Sequence, residues 1–583
     1  MRLRTFTAVV GLWVVVVVGG DTAWGVTSWD KPFATGGWFT DSNWRHGVPG
    51  AFDSTTVGQG GTAVASFEPG LGDLLASDLK IGFGFSNLFP HPFPGGNGTV
   101  QVSGLDIVLN SRLLVGQVFG DGSVVGTLNT DSNVTIGGSA AFSGDAFIGF
   151  HDSGSVPIVQ HTAIGTATIG GDFVSGGNSP TLYIGRSDTT EAADGTLSLS
   201  GRLLGFVDVR VGQAHSSGPA VGEAMFFNNN IGPLDEMAVG IVNAAGNATG
   251  LVKVDDGNLT GIGSTSNLEV GVSEGAGVAN GEVDVTGALA GFDDVFVGVS
   301  RFSTGTGAAT GALKVGGVFV GSGVLSSQFV IGGTFAGGLG EGHGAVTLGS
   351  GMSGFDSVDV GVGPGTGQLT IDAGGLVSGN GFNFFDIGIN SGTGTAVITG
   401  GVTGFRLVDV GVVTLTGAGP SELTMGTLTI NTLGLTGTGT GSSKLTVGET
   451  SFNSPATGIL KTFGGGGVSG FEDVEVGVTT SEGDATGQMV LAGSLVGTGV
   501  LDSALEIGLS AGAGMADGAV FVGGDLGGFE DVSIGVSEDA GDAIGELIVS
   551  GDATDMDRIV HVGVSTGATS TGQATGTLNV GGR

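Results

Sequence analysis

Three short segments hold residue types that can cleave a glycosidic bond: Asn129-Thr130-Asp131, Asp293-Asp294 and Gly342-His343-Gly344. That chemistry needs one carboxyl group to protonate the leaving oxygen and a second to act as base or nucleophile, at most about 9.5 Å apart. Here Asp131 and Asp293 are 162 residues apart, and His343 lies 49 residues beyond Asp294. Only a fold that stacks distant segments on neighbouring levels could join them, and no Arg-Ile-Lys segment follows. In a chain rich in glycine and aspartate such tripeptides arise by chance, so no catalytic residue is assigned.

Metal-ligating patterns are equally sparse. The seven histidines (His46, His91, His151, His161, His215, His343 and His561) show no paired ligand spacing, and there is no cysteine. Two sets of acids could offer oxygen ligands to calcium. One lies in turns: Glu274, Glu482 with Asp484, and Glu538 with Asp539 and Asp542. The other follows a recurring phenylalanine: Asp293/Asp294, Glu472/Asp473 and Glu530/Asp531. Equivalent positions carry Val207, Arg406 and Leu407, so no continuous carboxylate column is expected there. The metal question is left open, and no cofactor is expected. Six lysines and eleven arginines are scattered singly, without the paired base that a polysaccharide lyase needs. Thr427-Leu428-Thr429 is the nearest approach to an ice-binding threonine ladder and is not repeated in register. No glycine cluster is followed by the Lys-Ser/Thr and helix of a nucleotide loop.

The elements that would position these residues are read from one periodicity. Val/Ile-Gly segments recur at Gly82, Gly116, Gly149, Gly185, Gly212, Gly240, Gly271, Gly298, Gly332, Gly361, Gly388, Gly411, Gly448, Gly477, Gly508, Gly535 and Gly563, in steps of 23 to 37 residues. Self-similarity at about thirty residues marks a solenoid. Each unit reads as a strand (V-x-V-G-V), a small-residue turn, a second strand after a glycine, and a shorter third segment. Val295, Val297 and Val299 alternate with Phe296 and Gly298, the two-residue period of a strand. The fold class expected is therefore all-β, a right-handed parallel β-helix of about 17 coils. At about 4.8 Å per coil it is a rod near 80 Å long.

A second pattern overlies the first. Gly-Phe-x-x-Val precedes some strands, at Phe206, Phe292, Phe355, Phe405, Phe471 and Phe529, mostly two coils apart. Intervening coils carry turns such as 321–327 (GSGVLSS) and 497–503 (GTGVLDS). The duplicated unit is a pair of coils, with the phenylalanine expected to fill a core layer.

Composition bounds the rest. Glycine supplies 124 of 583 residues, three times the usual share of about 7%, yet without the every-third-residue repeat of collagen. The formal charge of −37, from 54 acidic against 17 basic residues, opposes nucleic acids and anionic membranes as partners. Residues 1–25 read as a signal peptide, with Arg2 and Arg4 before an apolar core at 9–18 and small residues at Ala23 and Gly25. Residues 26–60 hold Trp29, Trp38 and Trp44 and are expected to cap the first coil. Residues 61–583 form the repeat domain, with a proline-rich loop excursion at 83–95 and an uncapped or truncated C-terminal end.

Residues 36–57 contain Gly37, Trp38, Asn43, Trp44, Gly47, Pro49 and Asp53 in an order that resembles the opening of bacterial secreted β-solenoid surface proteins, the autotransporter-passenger-like and PEP-CTERM-type repeat proteins. The Gly-x-Leu-x-Val strands downstream resemble the same group. Neither a translocator barrel nor a Pro-Glu-Pro sorting segment is recognisable. The resemblance implies a secreted or outer-surface protein without catalytic activity, a stalk, matrix component or adhesin. Surface polysaccharide, matrix proteins or end-to-end copies of itself are its expected partners, and the mature chain does not insert into a membrane. The alternative is a carbohydrate-active β-helix, either binding or cleaving polysaccharide. Carboxylates gathered with a basic residue in one groove would favour that alternative.

Overall fold

Alternation around each Val/Ile-Gly pair places one set of side chains inward and builds a stack of parallel strands. In the computed structural model the chain is a parallel β-solenoid, nearly all strand, with turns about thirty residues apart. The structure describes residues between 26 and 582 except 29–34, 46–47, 50–53, 58–60, 67–72, 86–96, 120–122, 138–143, 153–161, 228–229, 302–305, 336–339, 380–382, 415–422, 440–441, 557 and 567–570. The expected signal peptide, Trp29 and most of the 83–95 excursion lie outside the described residues.

One turn shows the plan. Its first strand is Asp208–Ala214, its second Ala220–Phe227 and its third Ile231–Leu234. Each pairs in parallel with its counterpart one turn on, Val209 with Met237, Ala220 with Ala248 and Ile231 with Leu259. Val209, Val211, Ala224, Phe226 and Ile231 are fully buried and belong to one apolar core running from Trp38 to Val549. Among the described residues no helix is long and apolar enough to cross a membrane.

The recurring glycines explain the cross-section. Gly212 adopts φ +66°, a conformation that other residues reach at a cost of about 1–2 kcal/mol. It faces Gly222 on the second strand so closely that a Cβ on Gly222 would overlap the Gly212 amide nitrogen. Among the described residues the same contact recurs seventeen times, from Gly82 with Gly98 to Gly563 with Gly576. The two strands therefore meet backbone to backbone, which pinches each turn into a large apolar lobe and a narrow one. Mostly small residues fill the narrow lobe, as Ala214, Ala220, Ala248 and Ala279 do beside Val242. In later turns Thr479, Ser510 and Ser537 sit there and donate to the turn carbonyls of Gly483, Gly514 and Gly541 at 2.8–2.9 Å.

The two coil types also have a physical basis. Phe292, Phe355, Phe405, Phe471 and Phe529 are fully buried or nearly so, each following a glycine at φ between +73° and +87°. A Cβ on Gly437 would lie 3.0 Å from the Phe471 ring, and one on Gly497 would lie 2.9 Å from Phe529. The rings of Phe355, Phe471 and Phe529 thus occupy space vacated by a glycine in the turn before, at Gly321, Gly437 and Gly497, whereas Ser378 stands at that place before Phe405. A polar residue closing that earlier turn ties the pair together. Ser266 Oγ donates to Gly291 O at 2.8 Å, and Ser327, Ser443 and Ser503 do likewise to Gly354, Gly470 and Gly528 at 3.1–3.3 Å. Asn383 Nδ2 makes the matching bond to Gly404 O at 2.9 Å.

At the N-terminal end Trp38 and Trp44 are buried edge to face, centroids 4.8 Å apart, with Trp44 Nε1 donating to Trp38 O at 2.7 Å. Segment 26–60 also supplies strands, Val26–Ser28 beside Ser54–Val57 and Thr35–Gly37 beside Gly61–Ser66. At the other end Ile559–Ser565 is paired on one side only among the described residues, leaving Val560 43% and Val562 37% exposed.

Candidate functional groove

The positive φ at the pinch glycine interrupts the strand's alternation. Two outward positions of the first strand, the residue two before that glycine and the residue one after it, consequently share one face. Phe147 and Phe150 flank Gly149 in this way with ring centroids 4.7 Å apart. Stacked over the turns, the two positions line a longitudinal groove in which many side chains are strongly buried although they point away from the core.

The groove divides into sectors. Nearest the N-terminus it is aromatic and cationic. Phe147 and Tyr183 stack at 4.9 Å and 12°, and Arg186 lies over Tyr183 at 4.5 Å while pairing twice with Asp188 at 2.7 and 3.0 Å. Arg210 pairs with Glu236 at 2.6 Å. The rings spend their faces on each other and on guanidinium groups, so they form a buttress and leave no open platform for a sugar. Next comes an apolar sector of Ala238, Ile241, Val272, Phe296, Val299 and Val330, with Arg301 over Phe296 at 4.0 Å.

The third sector is acidic. Asp359, Asp386 and Asp409 occupy the same outward position in three consecutive turns, in direct register. Neighbouring strands lie about 4.8 Å apart, and two unit charges at that distance repel by about 3 kcal/mol at an effective dielectric of 20. Burial pushes Asp359 and Asp409 up to about 6. Burial also raises Asp386 well above the usual carboxylate range, reinforced by Asp409 and Asp359 on either side. Ser357 Oγ donates to Asp359 at 3.0 Å, whereas Asp386 Oδ1 is enclosed without a hydrogen-bond partner.

Beyond Thr446 the column continues as Glu475 and Glu506, joined by Glu449 and Lys444. Lys444 Nζ reaches Glu475 at 2.8 Å and Glu449 at 3.4 Å. Burial opposes the charge on Lys444, but the two glutamates outweigh it and hold the amine cationic. One cation cannot neutralise this many acids. Burial and the neighbouring Glu449 accordingly push Glu475 up to about 8 despite its ion pair.

The residues singled out in the sequence fall elsewhere. Asp131 closes a second strand, where Gly104 N and Ser103 Oγ donate to it at 2.8 and 2.9 Å and hold its carboxyl below the usual range. Asp293 accepts from Ser322 Oγ at 2.7 Å, and Asp294 accepts from Gln328 N at 3.1 Å. Gly342-His343-Gly344 is a second-strand segment in which Gly344 is the pinch glycine, and His343 pairs with Glu341 at 3.4 Å. The structure does not bring these three segments together. Thr427 lies between Thr395 and Ile459, and Thr429 between Val397 and Lys461, so no threonine ladder forms.

Several of the calcium candidates are engaged with protein groups of adjoining turns. Asp484 and Asp542 accept from Met515 N and Gln573 N at 2.9 and 2.8 Å, Glu530 accepts from Asp502 N at 3.0 Å, and Glu472 accepts from Ser442 N. Glu274 accepts from Asn243 Nδ2 at 2.9 Å. Among the described residues no group of three or more His, Asp or Glu is placed to hold a metal ion.

A carboxylate column does exist, at the x of V-x-V-G and not after the phenylalanine. Aligning the seventeen strands on their glycine and reading that outward position would have shown it. The chain matches no family model, no curated protein and no solved structure.

Proposed function

We propose that this chain is a non-catalytic, secreted or cell-surface β-solenoid that serves as a structural and adhesive rod. The observation that carries the reading is the recurrence of one pinched cross-section, seventeen times among the described residues, which makes the fold a rigid spacer. Among the described residues most of its lysines and arginines are paired with carboxylates. Lys444 is clamped as a cation by two glutamates, and Arg186 and Arg210 are paired. A net charge of −37 keeps such rods apart in solution. Surface polysaccharide and matrix proteins are the partners this reading names. The test is surface shaving of intact producing cells with protease, combined with an aggregation assay on a strain lacking the gene. The reading expects released fragments of the solenoid and impaired cell–cell or cell–matrix attachment. Full protection of the chain inside intact cells overturns it.

One observation favours the alternative of a carbohydrate-active protein: the groove gathers Glu449, Glu475 and Glu506 around Lys444. A carboxyl held protonated by burial beside a second carboxyl is an arrangement that glycosidic cleavage uses. Release of reducing ends or unsaturated products from acidic polysaccharides, abolished by Glu475→Gln, would establish that alternative. No release across such a panel leaves the rod as the reading.

A further inference from the structure

The Asp359–Asp386–Asp409 ladder differs from every other part of the groove in having three carboxyl groups in successive turns with no cation inserted between them. The nearest ion-pairing cation on the same face, Lys444, lies one turn beyond Asp409 and is shared with Glu449 and Glu475. On the other side the column continues as Val330 and Phe296. Facing the ladder from the second outward position are Val362, Ile389 and Val412, which carry no charge. Among the described residues, therefore, the titratable and charged groups that bear on the ladder are its own three carboxyls, Lys444, Glu449 and Glu475.

We propose that Asp386 is a carboxylic acid, not a carboxylate, in the folded protein, and that its proton is a latch that holds these three turns closed. Three geometric facts support this. The central carboxyl has a like group directly above and below it. Its Oδ1 is enclosed without a partner. The groove wall beside it is aliphatic and supplies no donor.

The latch has a defined direction. A buried acid binds its proton more tightly when folded than when unfolded, where the ordinary value is 3.8. The stability it contributes is complete below that value and is lost as pH rises through the folded-state range, about 6 for the flanking Asp359 and Asp409 and higher for Asp386. The solenoid therefore stays closed here in mild acid and loosens locally towards alkaline pH.

The test is hydrogen exchange followed by mass spectrometry on the full chain in chelated buffers, from pH 5 to pH 8, corrected for intrinsic exchange. Peptides covering Phe384–Ile389 should open roughly tenfold or more as pH rises, while those covering Gly98–Ser103, which holds no titratable side chain, serve as the reference. Asp386→Asn, which mimics the neutral acid, should remove the rise and protect these turns at pH 8. An infrared band of protonated carboxyl, present in the wild-type protein at pH 7 and diminished in Asp386→Asn, is the direct readout. The proposal is overturned by wild-type peptides that open no faster at pH 8. It is equally overturned if Asp386→Asn opens faster than wild type at pH 8, or if calcium protects the wild type alone, because either result means an ionised, cation-held ladder.

Discussion

The ring of Phe471 occupies the space that a side chain on Gly437 would need, one turn earlier, with only 3.0 Å between a Cβ at that glycine and the ring. A large residue and the absence of one are thus a single packing unit split between two levels of the stack. Phe471→Ala should cost about 3–5 kcal/mol, read by denaturant or thermal unfolding. Gly437→Ala should also destabilise. Combined with Phe471→Leu, however, it should cost less than the sum of the two single changes, because the shorter side chain yields the space. Strict additivity would show that the two positions are not in contact.

Gly222 and Gly323 separate two reasons for conserving a glycine's shape. Gly222 is pressed against Gly212, whereas Gly323 has φ +69° and nothing within 4 Å of an added Cβ. Gly323→Ala should cost no more than the backbone penalty of about 1–2 kcal/mol. Gly222→Ala should cost clearly more, since backbone must move, and should lower the melting temperature of the intact chain. Equal effects would refute the pinch as a steric constraint.

Lys444 is the counter-charge for a cluster of acids, so Lys444→Met should destabilise the protein by about 1–3 kcal/mol at pH 8. The loss should shrink towards pH 5, because Glu475, already pushed up to about 8, and its neighbours take up protons in place of the lost cation. Melting curves of both proteins across that range give the comparison. A deficit that grows in acid would contradict the assignment of Lys444 as a cation.

Chelation should have no effect on global stability. In the acidic turns considered for calcium, Asp484 commits an oxygen to Met515 N and Asp542 one to Gln573 N. EDTA should leave the melting temperature unchanged, and Asp484→Ala should cost no more than about 1 kcal/mol because the bond is exposed. A drop in melting temperature with EDTA, reversed by calcium, would restore the metal reading.

Much of the fold was readable from Val/Ile-Gly periodicity, because a strand's alternation and a turn's glycine are local signals. The partner column of glycines, Gly98 to Gly576, was less visible. Its members follow the first column at distances as short as six residues, at Gly361 and Gly367, and as long as sixteen, at Gly82 and Gly98. The acidic ladder was missed for a different reason. Asp359, Asp386 and Asp409 stand 27 and 23 residues apart, each two residues before a recurring glycine, at the outward position of strands read chiefly for their inward residues. The Asp-Asp, Asn-Thr-Asp and Gly-His-Gly segments, which the sequence already reads as chance matches, stay apart in the stack.

The glycine notch that receives Phe355, Phe471 and Phe529 also bears on how such a chain changes length over generations. Removing or adding one turn would set a ring against a turn that has a side chain in the way, or leave a notch unfilled. Removing or adding two turns between Phe292 and Phe529 keeps the two kinds of turn in alternation. An in-frame loss of about sixty codons within that stretch should therefore disturb the packing less than a loss of about thirty, whereas the stretch from Phe206 to Phe292 spans three turns.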